Sequence, residues 1–153
     1  MRRKTEAIVA DTNILMRGLE RIRPEEQILQ VIELNDWRRV FAVMSPSMKD
    51  EAEVVARIKH GVESGEYARI LSIIGLAIGV PDYRGEIYPV GHNRDFKIVD
   101  AARRANAPIV SEDHHLTDHA GILKRDYRIV VYDAYGYYEK VVRDLLASGI
   151  AGK

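Results

Sequence analysis

Short apolar runs alternate along the chain with longer segments in which apolar residues recur at helical spacing. The runs lie at residues 7–10, 40–44, 107–111 and 128–132, and short apolar runs bounded by polar residues are typical of buried strands. The segments between them carry apolar residues every three or four positions, as a helix does on its inward face. Strands that alternate with helices form a parallel sheet with right-handed crossovers. The pattern therefore predicts an α/β fold: a three-layer α/β/α sandwich around a central parallel sheet of four or five strands.

Capping signals predict where several of the helices begin and end. Pro24, followed by two glutamates, opens a helix that is expected to end near residues 35–36, because proline suits the first turn and acids suit the positive end of the dipole. Ser45 followed by Pro46 predicts an N-cap with proline at the first helical position. Another helix is predicted over residues 66–78, stopped by a glycine.

The composition is that of an ordinary globular domain, expected to span residues 1–153. Hydrophobic residues make up 46% and charged residues 30% of the chain, and the formal net charge is zero. The absence of cysteine excludes disulfides, thiolate metal sites and a cysteine nucleophile. The apolar run at 7–10 is too short for a signal peptide, and the run at 70–80 is shorter than the roughly 20 residues of a membrane span. We therefore expect a cytoplasmic protein that does not associate with a membrane.

Acidic residues stand where predicted strands end and where the following helices begin. Asp11 directly follows the first apolar run, and Asp113 closes the third. Glu51 lies in the helix after the second run, and Asp95 lies in the first turn of a helix predicted over 95–105. The carboxyl ends of parallel strands meet at one edge of the sheet, where α/β proteins bind ligands. The four carboxylates are therefore expected to converge at that edge.

Helical periodicity predicts which of the acids face inward. At about 100° per residue, Glu51 lies on an apolar stripe, whereas Asp50 and Glu53 point away from it. Asp95 lies beside the stripe of its own helix, and Asp100 is predicted to face solvent. The ordinary alternatives are a rim position or an arginine partner for Glu51 and a favourable interaction with the helix dipole for Asp95. The stripe around Glu51 is formed by Met48, Ala52, Val55 and Ile58.

The predicted group of four carboxylates requires a compensating cation, because uncompensated charges are costly to bring together away from water. Oxygen ligands of this kind suit Mg²⁺ or Mn²⁺. Such ions bridge phosphate oxygens, activate a water and stabilise the leaving group. The acids therefore predict metal-dependent hydrolysis of a phosphodiester.

The order of these motifs resembles that of the PIN domain, a nuclease fold similar to the flap endonucleases. PIN domains open with an apolar strand that runs into Asp-Thr/Ser-Asn and continue with a Ser-Pro-led helix containing a glutamate. A helix that begins with aspartate follows, and then a strand that ends in Thr/Ser-x-Asp. The resemblance covers residues 8–131. The matching residues are Asp11-Thr12-Asn13, Ser45-Pro46 with Glu51, Asp95 with Ile98 and Ala102, and Ser111-Glu112-Asp113.

The resemblance implies a metal-dependent ribonuclease. The implied ligands of Mg²⁺ or Mn²⁺ are Asp11, Glu51, Asp95 and Asp113, hereafter the four acids. Asn13 and Ser111 would orient these ligands by hydrogen bonds. Many small PIN proteins are toxins of the VapC type, which an antitoxin inhibits, and many are homodimers. The resemblance therefore implies an RNA substrate, an antitoxin partner and a homodimer.

The chain departs from the PIN pattern after Asp95 and in a long loop predicted over 81–93. Asp95 is followed by Phe96 and Lys97 rather than by the commoner small or acidic residue, which is expected to alter the mouth of the site. A short extended piece is predicted at 87–88. For Tyr83 and Tyr88, packing over the sheet edge is favoured over contact with RNA. The side chains predicted to contact RNA, by stacking or by pairing with phosphate, are Arg84, His92, Arg94 and His114.

Two other functions were weighed against the nuclease. A PIN fold retained for binding RNA or protein, with little cleavage, is the first alternative, and the presence of all four acids favours the enzyme over it. A phosphatase of the haloacid-dehalogenase type also begins with a strand and an aspartate. That chemistry needs a second acid two residues later, where this chain has Asn13, so we set it aside.

Overall fold

The computed structural model describes residues 6–34 and 38–151 and contains a five-stranded, all-parallel sheet. In sheet order the strands are β3, β2, β1, β4 and β5. The central strand β1 pairs with β2 on one side and with β4 on the other, with Val9 opposite Ile109. The strands are β1 (Glu6–Ala10), β2 (Val40–Met44), β3 (Ile78–Gly79), β4 (Ile109–Val110) and β5 (Val131–Tyr132).

Helices connect the strands and flank the sheet, which confirms the predicted α/β sandwich. A 3₁₀ turn (Asn93–Asp95) leads directly into α5, and a π-helical segment (Tyr138–Val142) joins α8 to α9. Among the described residues, no helix is long and apolar enough to cross a membrane. The helices are α1 (Thr12–Leu19), α2 (Glu25–Ile32), α3 (Pro46–His60), α4 (Gly65–Leu76), α5 (Phe96–Ala105), α6 (His114–Thr117), α7 (Ala120–Tyr127), α8 (Ala134–Tyr137) and α9 (Arg143–Ala151).

Two of the predicted helix boundaries can be compared with the structure. The side chain of Ser45 caps α3, because its Oγ accepts a hydrogen bond from the backbone N–H of Met48 at 3.3 Å. Helix α2 begins at Glu25, directly after Pro24, and ends at Ile32. The predicted helix end near Asn35 and Asp36 lies outside the described residues.

The sheet edge at β3 corrects the prediction that a helix extends to Ile78. Helix α4 ends at Leu76, Ala77 is extended, and Ile78 pairs with Val43 of β2. The backbone N–H of Val80 then donates to the carbonyl of Met44 at 3.1 Å. Pairing with β2 satisfies backbone groups that helix continuation would otherwise satisfy, and the β-branched Ile78 suits a strand. The extended piece predicted at 87–88 is not a strand.

The inward face of α3 is narrower than predicted. Met48, Ala52 and Ala56 are buried, whereas Ile58 is 76% exposed. Val55 is only half-buried. The buried positions recur every four residues, and Ile58, two residues beyond Ala56, is turned about 200° away from that line. The prediction that Ile58 packs inward is therefore wrong.

Asp100 on α5 is buried rather than solvent-facing, which corrects a second prediction. Its side chain accepts hydrogen bonds from the Tyr88 hydroxyl at 2.7 Å and from Nε of Arg104 at 2.8 Å. Residues 80–92 form a loop that passes over this face of α5 and brings Tyr88 to it. Helical periodicity identifies the face turned away from the sheet but not what the loop places there.

Candidate metal centre

Asp11 and Asp113 are brought together by the pairing of β1 with β4. The backbone N–H of Asp11 donates to the carbonyl of Val110 at 3.0 Å, so the two strand ends lie side by side. Ser111 lies between them and is completely buried. Its hydroxyl donates to Oδ2 of Asp11 at 2.9 Å and accepts the backbone N–H of Asp113 at 3.0 Å. Ser111 therefore orients Asp11 and connects it to the turn that carries Asp113.

The four acids line one pocket of about 310 Å³ at the carboxyl edge of the sheet. Asn13, the other residue expected to orient the ligands, also lines it, and its backbone N–H bonds to the Asp11 carboxylate. The remaining lining residues are Thr12, Val55, Arg94, Lys97 and Ile98. The structure thus places all of the predicted acids around one pocket: Asp11 directly after β1, Glu51 on α3, Asp95 in the 3₁₀ turn before α5 and Asp113 in the β4–α6 turn.

Asp95 is the most deeply buried of the four acids, at 4% exposed. It stands at the N-cap of α5 but makes no capping hydrogen bond, so helix capping does not account for it. Its Oδ2 is buried and, among the described residues, has no hydrogen-bond partner. Burial raises the pKa of Asp95, and repulsion from Asp113 and Asp11 raises it further. His115 and Arg94 lower the pKa of Asp95, but the net pKa is raised, so this buried charge is only partly compensated.

The pKa of Asp11 is also raised. Burial raises its pKa, the hydrogen bond from Ser111 lowers it, and repulsion from Asp113 and Glu51 raises it, with a net rise. A pKa raised by burial and by neighbouring acids is the electrostatic signature of a functional cleft. The negative charge at this edge is therefore only partly balanced by the protein.

Glu51 differs from the three aspartates because side chains donate hydrogen bonds to both of its carboxylate oxygens. Thr12 donates its hydroxyl to Oε2, and Nζ of Lys97 donates to Oε1 at 2.8 Å. Burial raises the pKa of Glu51, but the hydrogen bonds from Lys97 and Thr12 outweigh it, and the net effect is a lower pKa. Thr12, which sequence analysis noted only as part of the Asp11-Thr12-Asn13 motif, thus donates a hydrogen bond within the site.

Sequence reasoning did not foresee that Lys97 pairs with Glu51. The available signal was position: Lys97 comes two residues after Asp95 in the first turn of α5, and Thr12 directly follows Asp11. Thr12 and Lys97 line the same pocket as the predicted ligands beside them in sequence. Their contact with Glu51 depends on where α3 packs, which the local sequence does not specify.

The donor set fits a hard divalent cation in its chemistry. Carboxylate oxygens are the ligands that Mg²⁺ and Mn²⁺ prefer, and the buried, unpartnered oxygen of Asp95 is a polar atom that a cation would satisfy. Within residues 6–34 and 38–151, however, no three acidic or histidine side chains already stand in an arrangement ready to hold an ion. The acids share a pocket without converging on one point.

Only one of the predicted RNA-contacting side chains lies at the acids. Arg94 lines the pocket, whereas Arg84 and His114 are exposed outside its lining. His92 is also exposed, with its ring 5.8 Å from that of His115. A second depression of about 360 Å³ shares Asn13 and Asp113 with the first and adds two basic residues, Arg17 and Lys59, and two acids, Glu20 and Glu112. Arg17 is ion-paired with Glu25, so the second depression is mixed in charge rather than basic.

The loop tyrosines pack, as the sequence analysis favoured. Tyr88 is 2% exposed and meets Phe96 and Tyr127 edge-on, with ring centroids 6.0 and 5.5 Å apart. Tyr83 packs against the same group, with its ring centroid 6.0 Å from that of Phe96. These rings hold residues 80–92 against α5 and are not free for stacking on a base.

Comparisons with known proteins bear on the fold. No protein-family model matches the sequence, and no curated protein matches it. Among solved structures, the chain is similar to one in the crystal structure of VapBC2 from Rickettsia felis bound to a DNA fragment from their promoter. The similarity has a TM-score of 0.53 at 13% identity and covers 83% of this chain and 98% of that chain. At this identity the likeness shows a shared fold: a parallel α/β domain of the kind the sequence predicts.

Proposed function

We propose that this chain is a PIN-type ribonuclease that uses Mg²⁺ or Mn²⁺ to hydrolyse RNA phosphodiester bonds. The observation that carries the proposal is the buried Asp95 carboxylate, whose Oδ2 has no hydrogen-bond partner among the described residues and which lies with Asp11 and Asp113 at the carboxyl edge of the sheet. A buried anion surrounded by further anions is costly unless a cation joins it. A divalent cation that also binds phosphate meets this requirement.

Different residues would bind the ion, orient its ligands and contact the phosphates. Asp11, Asp95 and Asp113 would hold the ion, which when bound activates a water and neutralises charge on the phosphate. Ser111 fixes the carboxylate of Asp11 through its hydroxyl. Arg94 at the first depression and Lys59 at the second would provide positive charge for the phosphates of a strand lying across the acids.

The proposal is tested by a cleavage assay with labelled single-stranded RNA. We expect cleavage with Mg²⁺ or Mn²⁺ and none with EDTA. The Asp11→Asn variant should lose on the order of a hundredfold or more in rate, the cost of removing one charge-stabilising group. Asp50→Asn, which changes an exposed aspartate on α3, is the matched control and should keep full activity. Cleavage that persists equally in EDTA or in Asp11→Asn would contradict the proposal.

A second candidate is a PIN fold that binds RNA or protein without cleaving it. Two observations favour it: Glu51 is bonded through both oxygens, and no described group of three acids is ready to hold an ion. This candidate predicts equal RNA affinity for the unaltered protein and Asp11→Asn, with no cleavage by either. Fluorescence anisotropy with the same labelled RNA, measured beside the cleavage assay, separates the two candidates.

We further propose that the chain acts as the toxin of a toxin–antitoxin pair and forms a homodimer. The support is the resemblance of the motifs to VapC-type PIN proteins and the shared fold with a chain of VapBC2. Expression of the chain alone should arrest growth, and co-expression of a small protein encoded beside it should restore growth. Asp11→Asn should be harmless in the same host. Growth unaffected by the active chain would contradict the toxin role, and light scattering of the purified protein tests the dimer.

A further inference from the structure

Glu51 is held in place by side chains from two other helices. Thr12 approaches one oxygen from the start of α1, and Lys97 reaches the other from α5, with Nζ 2.8 Å from Oε1. Glu51 itself lies on α3, so these contacts bind three helices together at the pocket. Each oxygen of Glu51 already accepts a hydrogen bond and the Lys97 ammonium balances its charge, so Glu51 attracts a metal ion less strongly than an unpaired carboxylate would.

The three aspartates carry the charge that the protein leaves unbalanced. Oδ2 of Asp95 has no partner among the described residues, although the residue is 4% exposed. Asp11 and Asp113 repel it and each other. Asp113 accepts the backbone N–H of His115 at 2.9 Å, but among the described residues none of the three aspartates is ion-paired with a lysine or arginine, whereas Glu51 is paired with Lys97.

The net negative charge of the pocket is equal in size to the charge of one divalent cation. Its lining contains four carboxylates and two basic side chains, those of Arg94 and Lys97. Full ionisation leaves two negative charges, which one Mg²⁺ or Mn²⁺ would neutralise. A second divalent ion would leave the pocket with two positive charges.

We propose that Lys97 is a resident counter-cation that keeps Glu51 out of the metal shell, so that the pocket takes one divalent ion, held by Asp11, Asp95 and Asp113. The inference rests on the proposed metal-dependent function. In two-metal sites the second ion stabilises charge that develops on the phosphate oxygens. An ammonium group on the wall of the pocket provides positive charge for the same purpose. Lys97 is thus a positioning residue for Glu51 and a charge source for the phosphate.

The ordinary alternative is a partly exposed ion pair that only ties α3 to α5. The two side chains are 25% and 39% exposed, so the contact alone does not exclude this. The alternative predicts that loss of Lys97 lowers stability without changing how the pocket binds ions. Ion counting therefore distinguishes the two.

The test is a titration with Mn²⁺, in which calorimetry measures the affinity and electron paramagnetic resonance of the free ion measures how many ions are bound. The unaltered protein should bind one Mn²⁺. Lys97→Met releases Glu51 and leaves three negative charges, so we expect a second bound Mn²⁺ or a dissociation constant about tenfold lower, the effect of one unit charge a few ångströms away in a solvated pocket. Lys124→Met, which removes an exposed lysine on α7, is the matched control and should leave the count and affinity unchanged.

A double-mutant cycle in EDTA provides a readout that needs no metal. Lys97→Met and Glu51→Gln should shift the urea midpoint non-additively, because each removes the partner of the other. Additive shifts would overturn the proposal, as would two ions in the unaltered protein or an unchanged ion count and affinity in Lys97→Met. These results would leave metal dependence intact, whereas no Mn²⁺ binding by any variant would overturn the proposed function as well.

Discussion

Ser111 shows how a single buried hydroxyl can organise two acids from different parts of the chain. It donates to Asp11 and accepts from the backbone of Asp113, and it is completely buried. Because the hydroxyl makes both contacts, replacement by alanine removes one bond to a carboxylate and leaves one buried N–H without its acceptor. The residue therefore links the fold of the β4 end to the orientation of the proposed ligand Asp11.

We expect Ser111→Ala to lower the free energy of unfolding by about 1–3 kcal/mol, the usual cost of leaving a buried polar group unpaired. The pKa of Asp11 should rise, because the hydrogen bond that lowers it is lost, and Mn²⁺ binding should weaken. Urea denaturation and Mn²⁺ titration measure these effects. Ser72→Ala, at an exposed position of α4, should change neither, and equal stability of Ser111→Ala and Ser72→Ala would show that Ser111 does not have this role.

At the level of elements, the loop at 80–92 fastens the acid-bearing helices to one another. Asp82 accepts the backbone N–H of Ser47 at the start of α3 at 2.9 Å, and Tyr88 donates to Asp100 of α5 at 2.7 Å. Gly91 donates its N–H to the carbonyl of His115 of α6 at 3.1 Å. A Cβ at Gly91 would lie 2.6 Å from Nδ1 of His115, so this close approach requires glycine. The loop therefore stabilises the relative positions of α3, α5 and α6.

Tyr88→Phe removes the hydroxyl that donates to Asp100 and keeps the packed ring, so it tests whether this hydrogen bond holds the loop against α5. We expect a loss of about 1.5–3 kcal/mol in the free energy of unfolding, the usual range for a hydrogen bond to a charged group. Tyr135→Phe, at a residue that is 64% exposed, is the matched control for urea denaturation. An equally small effect in both variants would mean that the Tyr88 hydroxyl does not hold the loop.

The same contact predicts a stability change at high pH. Burial and the hydrogen bond to Asp100 raise the pKa of Tyr88 from 10.0 to about 12. The folded protein thus holds this proton more tightly than the unfolded chain, and the resulting stability is present below pH 10 and is lost as the pH rises towards 12. Unfolding measured from pH 9 to 12 should show a smaller decline in Tyr88→Phe than in the unaltered protein. Parallel declines would contradict the assignment.

The elements that the sequence predicts well are those decided by local patterns. Apolar runs identified β1 and β2, Ser45 and Pro46 identified the start of α3, and strand-end acids identified the pocket. The strand β3, the burial of Asp100 and the exposure of Ile58 were missed. Each of these depends on what another segment places opposite: β2 beside Ile78, the loop with Tyr88 beside Asp100, and nothing over Ile58. Local periodicity carries no information about such partners.

Over the whole molecule, the proposed site is a local cost to the stability of the fold. Asp95 and Asp11 have raised pKa values because burial and mutual repulsion disfavour their charged forms. Sites selected for binding commonly lower the stability of the protein that holds them. A cation that binds only the folded state would restore this stability, by about 2.7 kcal/mol at a concentration 100 times its dissociation constant.

Asp95→Asn should therefore have opposite effects with and without metal. In EDTA at pH 7 the variant should be more stable than the unaltered protein by about 1 kcal/mol, because a buried, uncompensated charge is removed at nearly constant shape. In Mn²⁺ the order should reverse, since the unaltered protein gains binding energy that the variant lacks. Thermal unfolding of both proteins in EDTA and in Mn²⁺ measures this crossing, with the exposed Asp118→Asn as a control that should follow the unaltered protein in each condition. If Asp95→Asn were less stable in EDTA, the Asp95 carboxylate would be a structural group already satisfied by the protein, and the case for a cation at this edge would lose its main support.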